Sequence, residues 1–300
     1  MDSDAETRRV VICGGSGAVG QRLAKSLVAD GRDVVIVSRS PGGYKGPGRA
    51  IAWEELAPSL DGAAGVVNLA GAPVAQRWTK RALKMIERSR VESVEKVVAA
   101  LRQADRPPQA WVQASAVGYY GDRGDEELAE NAPPGEGVLA SICQAWEAAA
   151  AVEVEGVRQA IVRIGVVFER DAGAWPVLRR LARFGLGGRA GDGRQWVPWI
   201  AAEDLTRIFR LALDDERASG VINAASPRIA RNADVMRFAR AQADMPIGLP
   251  APAWGIRLAR KTVGVPDEIA LASQRAVPNR LAELGFTFAH PALTPQAISA

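Results

Sequence analysis

Histidine and cysteine are nearly absent from this chain of 300 residues. His290 is the only histidine, and Cys13 and Cys143 are the only cysteines. A metal site built from several histidines is excluded by this count, and two cysteines so far apart predict neither a disulfide framework nor a cysteine metal site. We therefore predict no bound metal, and we place His290 at the surface or at a helix end.

Long apolar runs and concentrated charge are also missing. No apolar run reaches the roughly 18 residues that a membrane-spanning helix needs. Lys and Arg total 38 against 34 Asp and Glu, and this formal charge of +4 is spread along the chain without a basic block. Nucleic acid and membranes are therefore not expected as partners, and a cytoplasmic, reducing location is predicted.

What the chain does contain is an alternation of short apolar runs with longer amphipathic stretches. The predicted strands are 10–13, 33–37, 65–69, 110–114 and 158–168, and the predicted helices are 18–29, 78–104 and 139–154. This alternation is typical of a parallel sheet with helices on both faces. We predict an α/β fold with a Rossmann-type, doubly wound parallel sheet.

The pattern changes after about residue 170. We predict a dinucleotide-binding Rossmann domain over residues 1–170, with returns from about 200–225. The remainder, residues 171–300, is predicted to form a smaller, mainly helical lobe on the substrate side, with a distinct last segment from about residue 246. Five glycines within 185–193 predict a loop there.

A glycine-rich turn follows the first predicted strand and opens the first predicted helix. The first glycine permits a tight turn, the second lets backbone N–H groups approach a pyrophosphate, and the third lets helix and strand pack closely. The helix N-terminus adds partial positive charge. The alternative is a tight turn with a structural role only. We assign the dinucleotide phosphates to Gly14, Gly15, Ser16, Gly17, Ala18, Val19 and Gly20.

The ends of two further strands complete the predicted cofactor site. Where an NAD-specific site places a carboxylate for the ribose 2′-hydroxyl, this chain has Ser38 and Arg39. A guanidinium can bind a 2′-phosphate through two hydrogen bonds, so we predict NADP(H) rather than NAD(H), unless Arg39 is simply a solvated loop residue. After the strand at 65–69, small residues at Ala70 and Gly71 leave room for a ribose or pyrophosphate, or form an ordinary turn.

Several longer motifs give these pieces a family context. They are the glycine turn, Ser38-Arg39, residues 68–71, Arg77-Trp78, Ser89-Arg90, residues 115–122, Trp146-Glu147, residues 163–167, residues 191–200 and residues 274–281. Together they resemble the extended short-chain dehydrogenase/reductase superfamily, of the NAD(P)-dependent epimerase/dehydratase type. The closer resemblance is to its "epimerase family protein", cell-division-inhibitor-like subgroup, whose C-terminal segment is a domain of unknown function.

The resemblance implies roles for individual residues. Ser115 matches the Ser or Thr that hydrogen-bonds the reacting oxygen after the fifth strand, although a strand-end hydroxyl can also cap the backbone. The subgroup pattern implies that Leu69, Ala70, Arg90 and Phe168 also line the dinucleotide. Arg90 could instead be an exposed charge on a helix.

The resemblance fails at the catalytic pair of the superfamily, Tyr-x-x-x-Lys. Alignment on Glu147 places Leu139 at the tyrosine position and Cys143 at the lysine position. Leucine cannot transfer a proton, and a thiol is not a fixed cation. Tyr119 and Tyr120 follow Ser115 closely, and either phenol could act as an acid in place of the missing tyrosine or could simply be packed in a corner of the fold.

Two functions of different classes remain open. The first is an NADP(H)-dependent oxidoreductase or epimerase, an isomerase, acting on a small hydroxyl or carbonyl compound, with Ser115 polarising the oxygen and Tyr119 or Tyr120 donating the proton. The alternative is a non-catalytic NADP(H)-binding regulator or redox sensor. A nucleotide-sugar substrate is not favoured, because Val197 stands where related enzymes clamp a diphosphate with arginine. The chain is predicted to be a monomer or a homodimer.

Overall fold

The structure is a computed structural model that describes residues 8–262 and 266–299. Strands and helices alternate through its first half. The strands are β1 (Arg9–Cys13), β2 (Asp33–Val37), β3 (Arg49–Ile51), β4 (Gly65–Asn68), β5 (Ala110–Ala116), β6 (Glu127–Leu128), β7 (Arg158–Ile164), β8 (Val166–Phe168), β9 (Trp196–Val197), β10 (Trp199–Ala201), β11 (Gly220–Ala224), β12 (Ala230–Arg231) and β13 (Arg275–Ala276).

The helices lie against these strands or connect them. They are α1 (Ala18–Ala29), α2 (Leu56–Leu60), α3 (Lys80–Gln103), α4 (Val138–Ala150), α5 (Trp175–Arg183), α6 (Ala202–Asp214), α7 (Asn232–Ala241), α8 (Ala253–Thr262), α9 (Asp267–Leu271), α10 (Asn279–Glu283) and α11 (Gln296–Ser299). None of the helices in the described ranges is both long and apolar enough to cross a membrane.

Seven strands form one sheet in the order β11-β7-β5-β4-β1-β2-β3, and every pair in it is parallel. The central strands are buried on both faces, as the apolar run Val10–Cys13 shows. Helices on both faces remove the strands from water, which explains runs of Val and Ile instead of an alternating pattern. The predicted α/β fold with a Rossmann-type parallel sheet is confirmed.

The stretch predicted as one strand over 158–168 is two strands, β7 and β8, and Gly165 separates them. A Cβ atom at Gly165 would lie 2.1 Å from the carbonyl oxygen of Pro198, so only glycine permits this approach. Beyond it the chain leaves the large sheet, and β8 pairs with β10. The periodicity of β-branched residues continues across Gly165, which is why the sequence did not reveal the break.

Two helices are shorter than predicted. The helix expected from residue 78 begins at Lys80, because the Thr79 hydroxyl accepts a hydrogen bond from the Ala82 N–H at 3.1 Å and caps it. The helix expected to reach residue 154 ends at Ala150.

A second apolar core lies outside the large sheet. Its centre is Phe168, which stacks on Trp199 with ring centroids 6.0 Å apart and contacts Trp175 at 5.8 Å. The C-terminal part returns to the main body, because β13 pairs with β6 and the buried amide of Asn223 donates to the carbonyls of Leu128 and Val277.

Candidate functional site: a dinucleotide cradle beside a buried ion pair

The glycine turn is packed too tightly for side chains. Gly14 has φ of +78°, and a Cβ there would lie 2.7 Å from the backbone of Ala70 at the end of β4. A Cβ at Gly15 would meet Ile36 at 2.6 Å, and one at Gly20 would lie 2.5 Å from the Cα of Gly15. The turn therefore brings β1, the start of α1 and the end of β4 into contact.

The outer side of the turn is open. Ser16, Gly17 and Ala18 are exposed, and Val19 is half-buried. Gly17 is the N-cap of α1, and no side chain caps this helix. The first-turn N–H groups are therefore available to an anion, and the helix dipole adds to their attraction.

The end of β2 lies beside this turn, because the Gly14 N–H donates to the carbonyl of Val37 at 3.2 Å. Ser38 accepts a hydrogen bond from the Ser40 N–H through its hydroxyl, which shapes the loop. The Arg39 side chain is exposed and has no partner in the part of the chain that the structure describes. A free guanidinium thus stands next to the turn, where a 2′-phosphate would be bound.

A buried asparagine holds the end of β4. The Asn68 amide donates to the Ser93 hydroxyl at 3.1 Å and to the Gln113 side-chain oxygen at 3.0 Å. Its own oxygen accepts the Ala70 N–H at 3.1 Å. This arrangement fixes the backbone of Leu69 and Ala70, both predicted to line the dinucleotide, against the glycine turn. The prediction had not given Asn68 a role of its own.

Arg90 is fixed at the same edge. Its guanidinium donates to the carbonyls of Ala72 and Ile86, both at 3.0 Å, and lies 4.9 Å from the Trp146 ring. A Cβ at Gly71 would be 3.1 Å from this guanidinium. Burial lowers the pKa of Arg90, although the side chain stays cationic at neutral pH. The structure thus brings Arg90 together with the glycine turn.

Phe168, which is predicted to line the dinucleotide, lies in the second apolar core. The whole residue has no exposed surface and its ring fills the second core, so the structure gives a cofactor no accessible surface at this position. We call the surface formed by residues 14–20, 38–39 and 69–71 the dinucleotide cradle. The residue after Phe168 lies near it, since Glu169 pairs with Arg22 of α1 at 2.9 Å.

The face of α4 that would carry the catalytic pair is apolar. Leu139 and Cys143 pack against the turn that follows β5, and a Cβ at Gly118 would lie 3.3 Å from Leu139 and 3.6 Å from the Cys143 thiol. Burial, reinforced by the Glu147 carboxylate, raises the pKa of Cys143 to about 12. The thiol is therefore neutral at physiological pH and cannot replace the cation of a lysine.

Next to this face lies a buried ion pair. Arg163 donates to both oxygens of Glu147 at 2.9 and 2.8 Å, and the two side chains are only 4% and 11% exposed. Burial disfavours the cation, but the hydrogen bonds and charge interactions with Glu147 and Tyr120 together outweigh it and raise the pKa of Arg163 above its usual value. In the sequence both residues stand out only as parts of family motifs, because no local pattern shows that β7 and α4 bring them together.

The ion pair draws in two of the three predicted catalytic side chains. The Ser115 hydroxyl donates to Glu147 at 2.6 Å, and Ser115 is 1% exposed. The Tyr120 hydroxyl accepts from Arg163 at 2.8 Å and donates to Asn223 at 2.7 Å, with no exposed surface. Burial raises the pKa of Tyr120. Both hydroxyls thus have hydrogen-bond partners inside the protein, and their predicted contact with a substrate stays a prediction.

Tyr119 differs from its neighbour. It is half-buried, its ring lies 3.6 Å from the Arg163 guanidinium, and it meets Tyr120 edge to face at 5.6 Å. In the described ranges its hydroxyl has no hydrogen-bond partner. Of the three predicted catalytic groups, it alone presents polar surface outward.

A carboxylate from the C-terminal part caps α4. Glu268 accepts the N–H groups of Val138 and Leu139 at 3.1 and 3.0 Å, where Gly137 at the N-cap cannot provide a side chain. This contact stabilises the helix start and satisfies donors that a ligand would otherwise meet. The residue was not predicted, because 130 residues separate it from Val138.

Comparison with known proteins identifies the family. The model of the NAD dependent epimerase/dehydratase family matches residues 10–225, and a domain of unknown function, DUF1731, matches residues 251–296. The chain belongs to the NAD dependent epimerase/dehydratase family. The family predicted from the motifs, including its C-terminal domain of unknown function, is confirmed.

Relatives are similar over nearly the whole chain. Epimerase family protein SDR39U1 of Homo sapiens is 35% identical over 294 residues, covering 95% of this chain and 97% of the relative. The SDR39U1 homolog of Arabidopsis thaliana, described as chloroplastic, is 34% identical and covers 93% and 82%. The crystal structure of human SDR39U1 with NADPH superposes with a TM-score of 0.85 at 33% identity, covering 95% of this chain and 96% of that one.

A second solved structure agrees in fold. The nucleoside-diphosphate sugar epimerase of Corynebacterium glutamicum is 34% identical with a TM-score of 0.75, covering 96% of this chain and 57% of that one. No group of His, Cys, Asp and Glu within residues 8–262 and 266–299 is placed to hold a metal ion.

Proposed function

We propose that this member of the family binds NADP(H) at the carboxyl ends of β1, β2 and β4 and acts as an NADP(H)-responsive regulator or redox sensor. The observation that carries the proposal is the apolar face of α4. Leu139 and the neutral thiol of Cys143 occupy the places of the acid and the cation, and Ser115 is turned into the ion pair of Glu147.

The cradle fits a dinucleotide. An added Cβ at Gly14, Gly15 or Gly20 would meet other atoms within 2.7 Å. The start of α1 is uncapped and lies beside Arg39, whose side chain has no partner among residues 8–262 and 266–299. The human relative that was crystallised with NADPH supports the phosphorylated form of the cofactor. When bound, the nicotinamide supplies a group that can accept or donate a hydride.

The test of binding is a titration with NADPH and NADH, followed by quenching of tryptophan fluorescence. Arg39→Ala should weaken NADPH binding by roughly tenfold and leave NADH binding unchanged, because only NADPH carries the 2′-phosphate. Arg49→Ala is the matched control, since Arg49 is also exposed but lies at the opposite, amino end of its strand. Equal weakening of both dinucleotides by Arg39→Ala would contradict this assignment.

The test of the regulatory role is turnover. The protein with bound NADPH or NADP⁺ should neither oxidise nor reduce the cofactor across panels of small carbonyl and hydroxyl compounds, while the titration still shows binding. Sustained turnover of any compound would overturn the proposal. The cytoplasmic location and the state of monomer or homodimer stay predictions.

The exposure of Tyr119 favours one second candidate, an NADP(H)-dependent oxidoreductase or epimerase for a small hydroxyl or carbonyl compound. Its phenol would hold the proton that passes to or from the substrate oxygen, and the Arg163 guanidinium 3.6 Å from its ring would keep the side chain in place. Tyr119→Phe should then abolish turnover of an identified substrate while NADPH affinity stays constant. Unchanged turnover would exclude this role.

A further inference from the structure

A concave basic surface lies along α5, outside the dinucleotide cradle. It encloses about 570 Å³, and four of the side chains that line it are arginines: Arg170, Arg179, Arg180 and Arg183. Asp171 is the only acidic residue in its lining, and Phe184, 72% exposed, closes one end. The surface therefore carries a local excess of three positive charges.

The charges of these four arginines are not neutralised by ion pairs. In the described ranges, none of the four side chains forms an ion pair or a hydrogen bond. Some exposed arginines elsewhere, such as Arg88 and Arg217, pair with a nearby carboxylate, so the four remain available to an anion from outside. Four like charges around one concavity repel one another, and an anion placed among them would relieve that repulsion.

The arrangement follows from the geometry of the helix. Trp175 and Ala182 are buried in the second core, so the opposite side of α5 faces outward. Arg180 and Arg183 lie in its last turn, where the negative end of the helix dipole stabilises cations and allows them to remain unpaired. The apolar side chains that line the concavity are Pro176 and Phe184, so some apolar surface lies beside the charges.

We propose that this surface is a binding site for a phosphate-bearing ligand that also has an apolar portion. Planar guanidinium groups match phosphate oxygens through paired hydrogen bonds, and the exposed ring of Phe184 would contact the apolar portion. The site is separate from the assigned 2′-phosphate position at Arg39. Glu169, which precedes Arg170, pairs with Arg22 of α1.

The test keeps the dinucleotide cradle filled. The whole chain, saturated with NADPH, is titrated calorimetrically with inorganic pyrophosphate, and in parallel is sedimented with vesicles of phosphatidylcholine with and without phosphatidylglycerol. Binding to pyrophosphate alone assigns soluble phosphates, and binding to the anionic vesicles alone assigns lipid headgroups. Either result supports the site, and both should weaken as salt is added.

Variants locate the binding. Arg179→Ala with Arg183→Ala should weaken it about tenfold, because two charge-assisted contacts are lost. Arg49→Ala with Arg102→Ala removes the same charge from exposed positions on β3 and α3 and should have little effect. Circular dichroism and thermal unfolding verify that both double variants fold. Absence of binding to both probes, or equal loss in the two double variants, would overturn the proposal.

Discussion

The ion pair between Glu147 and Arg163 allows a stringent test of the structure through Glu147→Gln. The substitution keeps the size of the side chain and removes its charge. In the protein this carboxylate accepts two hydrogen bonds from Arg163 and one from Ser115, and both charged side chains are almost fully buried.

The expected loss of stability depends on the contacts that the buried Arg163 keeps when Glu147 loses its charge. Removal of one partner from a buried ion pair costs about 3–5 kcal/mol, because the other charge stays buried without compensation. Arg163 keeps its hydrogen bonds to the Tyr120 hydroxyl and the Glu130 carbonyl, and the glutamine oxygen can still accept a bond. We therefore expect Glu147→Gln to lower the free energy of unfolding by the lower end of this range, about 3 kcal/mol. Arg163→Met in the Glu147→Gln background should recover part of the loss.

The assay is urea unfolding at neutral pH followed by circular dichroism. Glu95→Gln on the exposed face of α3 is the matched control and should change the free energy of unfolding by less than about 0.5 kcal/mol. A loss below about 1 kcal/mol for Glu147→Gln, at an unchanged dependence on urea, would refute the reasoning, because the pair would then have to be hydrated.

Three further predictions concern the cradle, the C-terminal attachment and the thiol. Gly20→Ala places a methyl group 2.5 Å from the Gly15 Cα, so the free energy of unfolding should fall by about 1–3 kcal/mol and an NADPH titration should show weaker binding. Gly43→Ala is the control and should change neither quantity, because an added Cβ at Gly43 meets nothing within 4 Å. Asp204→Asn should cost about 2 kcal/mol in urea unfolding, because this fully buried carboxylate accepts two backbone N–H groups of the C-terminal segment. Native protein should resist iodoacetamide at Cys143 up to roughly pH 10, since burial raises the pKa of that thiol to about 12 from an ordinary value of 9.0.

The thiol also predicts a pH dependence with a defined sign. Below pH 9.0 the Cys143 thiol is protonated in both the folded and the unfolded chain, so it adds no dependence. Between about pH 9 and 12 the unfolded chain loses this proton while the folded chain keeps it, so the free energy of unfolding falls as pH rises. Cys143→Ala should flatten that part of the curve. A steeper fall of the free energy of unfolding with pH in Cys143→Ala would contradict this prediction, and rapid labelling of Cys143 in the native protein would contradict the one before it. An Asp204→Asn variant as stable as the original protein would contradict the prediction for the C-terminal segment. Equal losses of stability and NADPH binding in Gly43→Ala and Gly20→Ala would contradict the prediction for the glycine turn.

Local sequence was sufficient for the parallel sheet and for the cradle. The runs Val10–Cys13 in β1 and Val34–Val37 in β2 are continuously apolar because both faces of the sheet are covered, and this signal is local. The glycine spacing after β1 is also local, since the turn needs residues without side chains at fixed offsets. The position of Arg39 at the end of β2, beside the glycine turn, follows from the same reasoning, because parallel strands align their carboxyl ends at one edge.

Direction and burial of individual side chains depended on contacts between distant segments. Ser115 was predicted to face a substrate, but Glu147 on α4 and Arg163 on β7 turn it inward, and Tyr120 joins them through Asn223. A hydroxyl at the end of a strand looks the same in sequence whether it meets a ligand or a buried carboxylate. Only the packing of α4 on β5 distinguishes the two.

The sequence by itself determined the α/β class, the family and the dinucleotide cradle, because each depends on short-range patterns of apolar residues and glycine. It also determined the absence of Tyr-x-x-x-Lys from α4, with Leu139 and Cys143 in its place. The tertiary structure alone decided that the Cys143 thiol is neutral, that Glu268 caps α4, and that four arginines of one surface have no side-chain partner among the described residues. Those properties arise from desolvation and from charges brought together across the fold, which no local pattern encodes.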